Sequence, residues 1–191
     1  MKHLINRFVT ILLLIYSLPG IAQVADKAEN VCPLLVGEKV PFDSVLNGSG
    51  TPYSLADIIG KKPTVLVIFR GGWCPYCNVQ LAGLAVAEEK ILELGYQIVA
   101  VSPDDYHEIS KIETKNEIKY QLYADKDARL ITKMGLAFNS GGRRGILPVP
   151  SVMVLDQTGE ILFEHINPNY KVRITSQVLL GVLQALKNNT N

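Results

Sequence analysis

The stretch Thr64-Val-Leu-Val-Ile-Phe-Arg-Gly-Gly-Trp-Cys-Pro-Tyr-Cys77 decides how the rest of this chain is read. Thr64 to Phe69 is a continuous apolar, β-branched run, the pattern of a strand buried on both faces inside a helix-covered sheet. Arg70-Gly-Gly-Trp73 reads as a turn. A helix follows from about Pro75 to Leu94 and stops at Gly95. Pro75 suits the first helical position, where its missing N–H costs nothing. Cys74 therefore falls where a buried strand hands over to a long helix.

That placement has chemical consequences. A helix N-terminus carries unsatisfied N–H groups and about half an elementary positive charge. It favours a thiolate and lowers the thiol pKa below the free value of about 8.5. Cys77 lies one turn further on, on the same face, within reach of a disulfide. Cys74 is then the attacking sulfur and Cys77 the resolving one. The target is either a sulfur or the outer oxygen of a peroxide. Trp73 is placed to shield the nucleophile. Gly71 and Gly72 allow a tight turn and the approach of a partner, and Pro75 and Tyr76 lie between the sulfurs. A structural zinc site would want four ligands, and here there is one cysteine pair with His107 and His165 isolated. A purely structural disulfide would more often close a longer loop.

Outward from this motif, strands and helices alternate. Phe42–Leu46 and Thr51–Leu55 read as a hairpin about Asn47-Gly-Ser-Gly50, with Ser54 capping a short helix that Gly60 ends. Gln97–Val101 is the next strand. Asp104 and Asp105 open a helix to about Asn116, and Tyr120–Tyr123 is a short strand. Lys126–Met134 is a short helix closed by Gly135. A Gly- and Arg-rich loop spans Asn139–Gly145. Ser151–Asp156 and Glu160–Glu164 make a second hairpin, and a last helix covers about Ile174–Lys187. The order implies an α/β fold with a central mixed β-sheet flanked by helices on both faces. Pro150 stands directly before a buried strand, the one place in a strand where proline is readily accepted. A cis Val149–Pro150 bond fits there and would present the Val149 backbone to a partner; an ordinary trans turn is the alternative.

Lys2, His3 and Arg7, the apolar run Phe8–Leu18, the break at Pro19-Gly20 and the small residues that Gly20-Ile21-Ala22 supplies read as a secretory signal peptide over residues 1–22. The run is short for a bilayer span, which takes about 20 residues, so no stable membrane association is expected after cleavage. Residues 23–41 read as an N-terminal arm or linker, and 42–190 as one domain. The 191-residue chain is 48% apolar and 19% charged, enough to bury a core. Its formal net charge is +1, which gives no sign of a nucleic-acid or membrane-surface partner. Export implies an oxidising, periplasmic-type compartment. With three cysteines the count is odd, so Cys32 is a spare thiol or an alternative resolving one.

Phe69-Arg-Gly-Gly-Trp-Cys-Pro-Tyr-Cys77 after a buried strand resembles the peroxiredoxin-like branch of the AhpC/TSA family, within the thioredoxin superfamily. Val99–Pro103, Leu122–Asp125, Leu147–Asp156 and His165–Tyr170 resemble further segments of that branch. The resemblance implies a thioredoxin-like fold and reduction of hydroperoxides by Cys74, with Cys77 resolving. It also implies Pro150 in a substrate loop, a thioredoxin-type dithiol as electron donor, and no metal or organic cofactor. Arg70, Trp73, Gly72, Val149 and Pro150 become the supporting residues. Typical members carry a threonine three residues before the attacking cysteine, a proline four residues earlier still, and an arginine before the late strand. This chain has Gly71, Val67 and Pro150 there, which makes the site more thioredoxin-like. Arg70, Arg143 or Arg144 could supply the missing charge. A protein-disulfide reductase and a non-catalytic binding module are the competing functions.

Overall fold

The run Thr64–Ile68 is buried at every residue in the computed structural model, which describes residues 23–189. Among the described residues the strands are β1 (Ser44–Leu46), β2 (Pro52–Ser54), β3 (Thr64–Ile68), β4 (Gln97–Ser102), β5 (Gln121–Ala124), β6 (Ala137–Asn139), β7 (Ile146–Pro148), β8 (Ser151–Leu155) and β9 (Ile161–Ile166). The α-helices are α1 (Leu55–Ile59), α2 (Pro75–Glu93), α3 (Tyr106–Lys115), α4 (Arg129–Lys133) and α5 (Ser176–Asn189). The signal-peptide reading of residues 1–22 lies outside the described residues.

Seven strands form one sheet in the order β2-β1-β5-β4-β3-β8-β9. β3 pairs parallel with β4 and antiparallel with β8, so it has a neighbour on each side. Its side chains alternate between two cores. Val65 and Val67 face α2, α3 and α5, whereas Leu66 and Ile68 face α1 and α4. The sheet is mixed and covered on both faces, as the alternation of elements requires. On α2 the buried residues Cys77, Leu81, Leu84, Ala87 and Ile91 make a stripe at helical spacing. Cys77 is the first residue of that stripe, so the packing that seats Leu81 also buries its sulfur.

Local chemistry explains the element ends. Gly95 is left-handed (φ +94) and its N–H reaches Leu92, while the Tyr96 N–H reaches Ile91, closing α2. Asp105 caps α3 by accepting from the Glu108 N–H at 3.1 Å. Ser54 makes no side-chain cap for α1. The helix read from Lys126 starts at Arg129 instead. Asp125 is buried and its carboxylate accepts the N–H groups of Arg129, Leu130 and Ile131, while Ala128 takes a left-handed conformation. The Gly- and Arg-rich loop is the tip of a small hairpin, β6–β7, apart from the main sheet.

The 23–41 segment is laid against the domain. The Ala25 N–H bonds to Ala137 and the Leu34 N–H to Met134. Gly37 and Glu38 bond to Ile161, and the Val40 N–H to Gly159. Its path over Gly135 (φ +68) is so close that a Cβ there would collide with the carbonyl of Cys32. Gly95 also has positive φ but open space around it. Gly95→Ala should therefore cost about 1–2 kcal/mol, the penalty of the left-handed backbone alone. Gly135→Ala should cost clearly more, because the arm must also lift. Urea denaturation of the two variants measures the difference.

Candidate active site

The turn between β3 and α2 is clamped from two sides. The Gly72 N–H donates to the Asp104 carboxylate at 2.8 Å, and the Ser102 hydroxyl donates to the same carboxylate oxygen at 3.1 Å. From the helix side, the Asn78 amide donates to the Gly72 carbonyl at 2.8 Å and is itself met by Asn116. Burial pushes the Asp104 pKa up, against the pull of the Gly72 N–H and the Ser102 hydroxyl. Gly71 takes φ +139, and the place of its absent Cβ is occupied by the Trp73 indole and the Asp104 carboxylate. At Gly72 the corresponding space is filled by Ile112, with Cγ1 at 2.6 Å. The two glycines thus let the turn pack onto its own domain; the space expected to admit a partner is occupied.

Cys74 occupies the N-cap of α2, with Pro75 as the first helical residue. Its carbonyl accepts from the N–H groups of Cys77 and Asn78, both at 3.1 Å. Both thiols are free and almost fully covered, at 1% and 0% exposure. The Cys77 thiol donates to Cys74 and is the largest influence bringing the Cys74 pKa down to about 6. Burial works against this, while the Cys77 N–H and the charges of Arg173 and Arg70 work with it. The same hydrogen bond, with burial, pushes the Cys77 pKa up, so Cys77 stays protonated while Cys74 ionises. The two sulfurs are thus inequivalent, with Cys74 the more acidic.

Arg173 was not legible as a site residue. Its Nη2 lies 3.4 Å from the Cys77 sulfur, donating across 96 residues of chain. It forms no ion pair among the described residues. It also helps to depress the pKa of His165, after burial, the larger cause. Asp104 reads from sequence as a helix opener, yet it holds the turn before Cys74 while Asp105 does the capping. Asn78 could have been noticed one turn after Cys74; Arg173 carries no local signal.

Arg70 is sandwiched between Trp73 and Tyr170, its guanidinium 5.1 Å and 4.3 Å from the two ring centroids. Arg144 covers Trp73 at 3.5 Å, and Tyr76 meets Tyr170 edge-on at 5.7 Å. These contacts tie the Cys-Pro-Tyr-Cys turn to two distant loops. Pro150 shares a cavity of about 520 Å³ with Arg70, Pro148 and Tyr170. The cis bond entertained for Val149–Pro150 is corrected: it is trans. The β6–β7 hairpin delivers the chain to β8, and the Val149 N–H is already taken by the Leu136 carbonyl at 2.9 Å. Val149 is fully buried, so its N–H is not open to pairing with a partner. Arg143 and His107 are exposed. Cys32 is exposed beside Gly135, in the arm that packs with the α1/α4 side of the sheet, away from α2. Among the described residues no group of three or more His, Cys, Asp or Glu side chains could hold a metal.

An ionisable cysteine at the start of a helix that follows a buried central strand, with a second thiol one turn on, defines a thiol-based oxidoreductase of thioredoxin-like fold. The chain belongs to the AhpC/TSA family, whose model matches residues 36–163. It is 26% identical to peroxiredoxin Bcp of Escherichia coli K12, over 80% of this chain and 97% of that one. It is 27% identical to the thiol-disulfide oxidoreductase ResA of Bacillus thuringiensis, over 68% of each. Among solved structures, reduced Prx3 from Vibrio vulnificus in complex with hydrogen peroxide superposes with a TM-score of 0.74, at 18% identity, over 78% of this chain and 99% of that one. Tyr170 and Arg173 lie beyond the matched family span.

Removing the Arg173 charge should raise the Cys74 pKa, since a nearby cation stabilises the thiolate. Arg173→Ala should move the thiolate absorbance titration to higher pH, and Arg173→Lys should restore part of the shift. An unmoved titration in Arg173→Ala would show that the arginine serves packing alone.

Proposed function

We propose that this chain is an exported thiol peroxidase that reduces hydroperoxides through Cys74, with Cys77 as the resolving thiol and a thioredoxin-type dithiol protein returning the electrons. The observation that carries the reading is the split between the two thiols. One is held at about 6 on the helix N-terminus and the other is kept protonated against it. At neutral pH Cys74 is then about nine-tenths thiolate, against a few per cent for a free cysteine. The thiolate attacks the outer peroxide oxygen, the O–O bond breaks, and the alcohol or water leaves with a proton. Cys74 is left as a sulfenic acid. Cys77 then gives up its proton and attacks the Cys74 sulfur, expelling water and closing the disulfide. The donor dithiol reduces that disulfide through a mixed disulfide. Arg70 and Arg173 supply positive charge to the attacking sulfur, where typical family members use the threonine and arginine that this chain lacks. The kinship with Bcp supports the peroxide reading, and the basic-then-apolar leader supports export.

Disulfide reduction is the second reading. The Cys-Pro-Tyr-Cys spacing, glycine at the family's threonine position and the kinship with ResA favour it. One experiment separates the two. Stopped-flow oxidation of the reduced protein by hydrogen peroxide is followed through Trp73, the sole tryptophan. The wild type should oxidise faster than glutathione, whose thiol is only a few per cent ionised at neutral pH. The rate should climb with pH through about 6 and level off above 7, because the thiolate fraction saturates. Cys74→Ser should abolish the reaction. Cys77→Ser should keep the first step and accumulate a sulfenic acid that dimedone traps. Oxidation no faster than that of a free thiol, together with turnover of insulin disulfides, would replace the peroxidase with the reductase.

A further inference from the structure

Beside the dithiol turn, on the side of the β6–β7 hairpin, lies a second cavity of about 600 Å³. Arg70, Lys126, Arg143 and Arg144 all line it, and Trp73 forms part of its wall. None of these four cations takes part in an ion pair among the described residues. Two carboxylates also line the cavity. That of Asp104 is engaged by the Gly72 N–H and the Ser102 hydroxyl, leaving Asp127 as the other. Four like charges around one hollow repel one another, and the net charge of the whole chain is only +1. The concentration is therefore local to this hollow. The loop bearing two of the arginines is also constructed: Ser140 donates through both its N–H (2.9 Å) and its hydroxyl (2.8 Å) to the Gly145 carbonyl, closing the turn over Gly142–Arg144.

We propose that this cavity binds low-molecular-weight organic anions: carboxylate-bearing hydroperoxides, which oxidise the Cys74–Cys77 dithiol, or carboxylate-bearing thiols, which reduce the disulfide so formed. The inference rests on the thiol-redox reading above and deepens it by naming the substrate class. Carboxylates fit the planar donor forks of Arg143 and Arg144, and Lys126 adds a point charge. Arg70 and Trp73 belong both to this wall and to the stack around the cysteines. A molecule anchored on the arginines is thereby held next to the reactive turn.

The test has two arms in the full chain. In the first, S-methylglutathione, an anionic tripeptide that cannot exchange its sulfur, is titrated against Trp73 fluorescence. A saturable change is expected, weakened about tenfold or more in Arg143→Glu, kept in Arg143→Lys and diminished by added salt. In the second, reduced protein is oxidised by N-acetyl-leucine hydroperoxide, which bears a carboxylate, and by neutral tert-butyl hydroperoxide. A preference for the anionic peroxide is expected, lost in Arg143→Glu and retained in Arg143→Lys. Success in the first arm alone assigns the cavity to an anionic thiol; success in the second alone assigns it to an anionic hydroperoxide. If neither probe responds to the charge at residue 143, the inference is overturned. Hydrogen peroxide oxidation that proceeds while both arms fail sinks the cavity alone. Tripeptide binding without any peroxide reaction would instead sink the peroxidase and keep the cavity.

Discussion

A half-buried carboxylate holding one backbone N–H organises this active site. Asp104, at the end of β4, accepts from Gly72 across 32 residues of sequence. That contact fixes the last turn before Cys74 onto the neighbouring strand, and the Asn78 amide fixes the same peptide from the helix side. With both faces of the Gly72 peptide held, Cys74 has little choice but the N-cap of α2. Gly71 and Gly72 are glycines because indole, carboxylate and isoleucine occupy the space of any side chain. The chemistry of the thiol is thus an outcome of packing between β3, β4, α2 and α3.

Burial and charge oppose each other at the cysteines. Removing Cys74 from water penalises its thiolate, while the Cys77 thiol, the Cys77 N–H at the helix N-terminus and the charges of Arg173 and Arg70 favour it. The favourable set wins at Cys74. At Cys77 the pull of the Arg173 charge is outweighed by the bond donated to Cys74 and by burial. One hydrogen bond between the two sulfurs is the largest single influence on both thiols, and it acts in opposite directions on them.

Much of the fold could be read from residue patterns. The uninterrupted run Thr64–Phe69, the Pro75 start and Gly95 stop of α2, and the β8–β9 hairpin all carry strong local signals, and each is present. What stayed hidden depended on contacts distant in sequence or on elements too short to show a period. β6 and β7 are three residues each, so alternation cannot announce them. The late start of α4 comes from a buried aspartate several residues upstream. The placement of Cys74 at the start of α2, with Cys77 one turn on, was legible because the spacing and the Pro75 helix start are local signals. Arg173 reaches Cys77 only through tertiary folding, and the pattern around Pro150 suited either isomer until the hairpin before it was known.

In the proposed cycle Cys77 is both the resolving thiol and the first member of the α2 core stripe, so that folding and electron transfer would share one thermodynamic cycle. Whatever stabilises the dithiol form in the fold must make the disulfide form correspondingly easier to reduce. An ionised Cys74 favours the reduced chain at neutral pH, which shifts the pair toward the oxidising end of the scale. Each 1.4 kcal/mol of preference for the dithiol corresponds to about 30 mV. The difference in unfolding free energy between the two redox states is therefore a measure of the potential, obtained without any electrode.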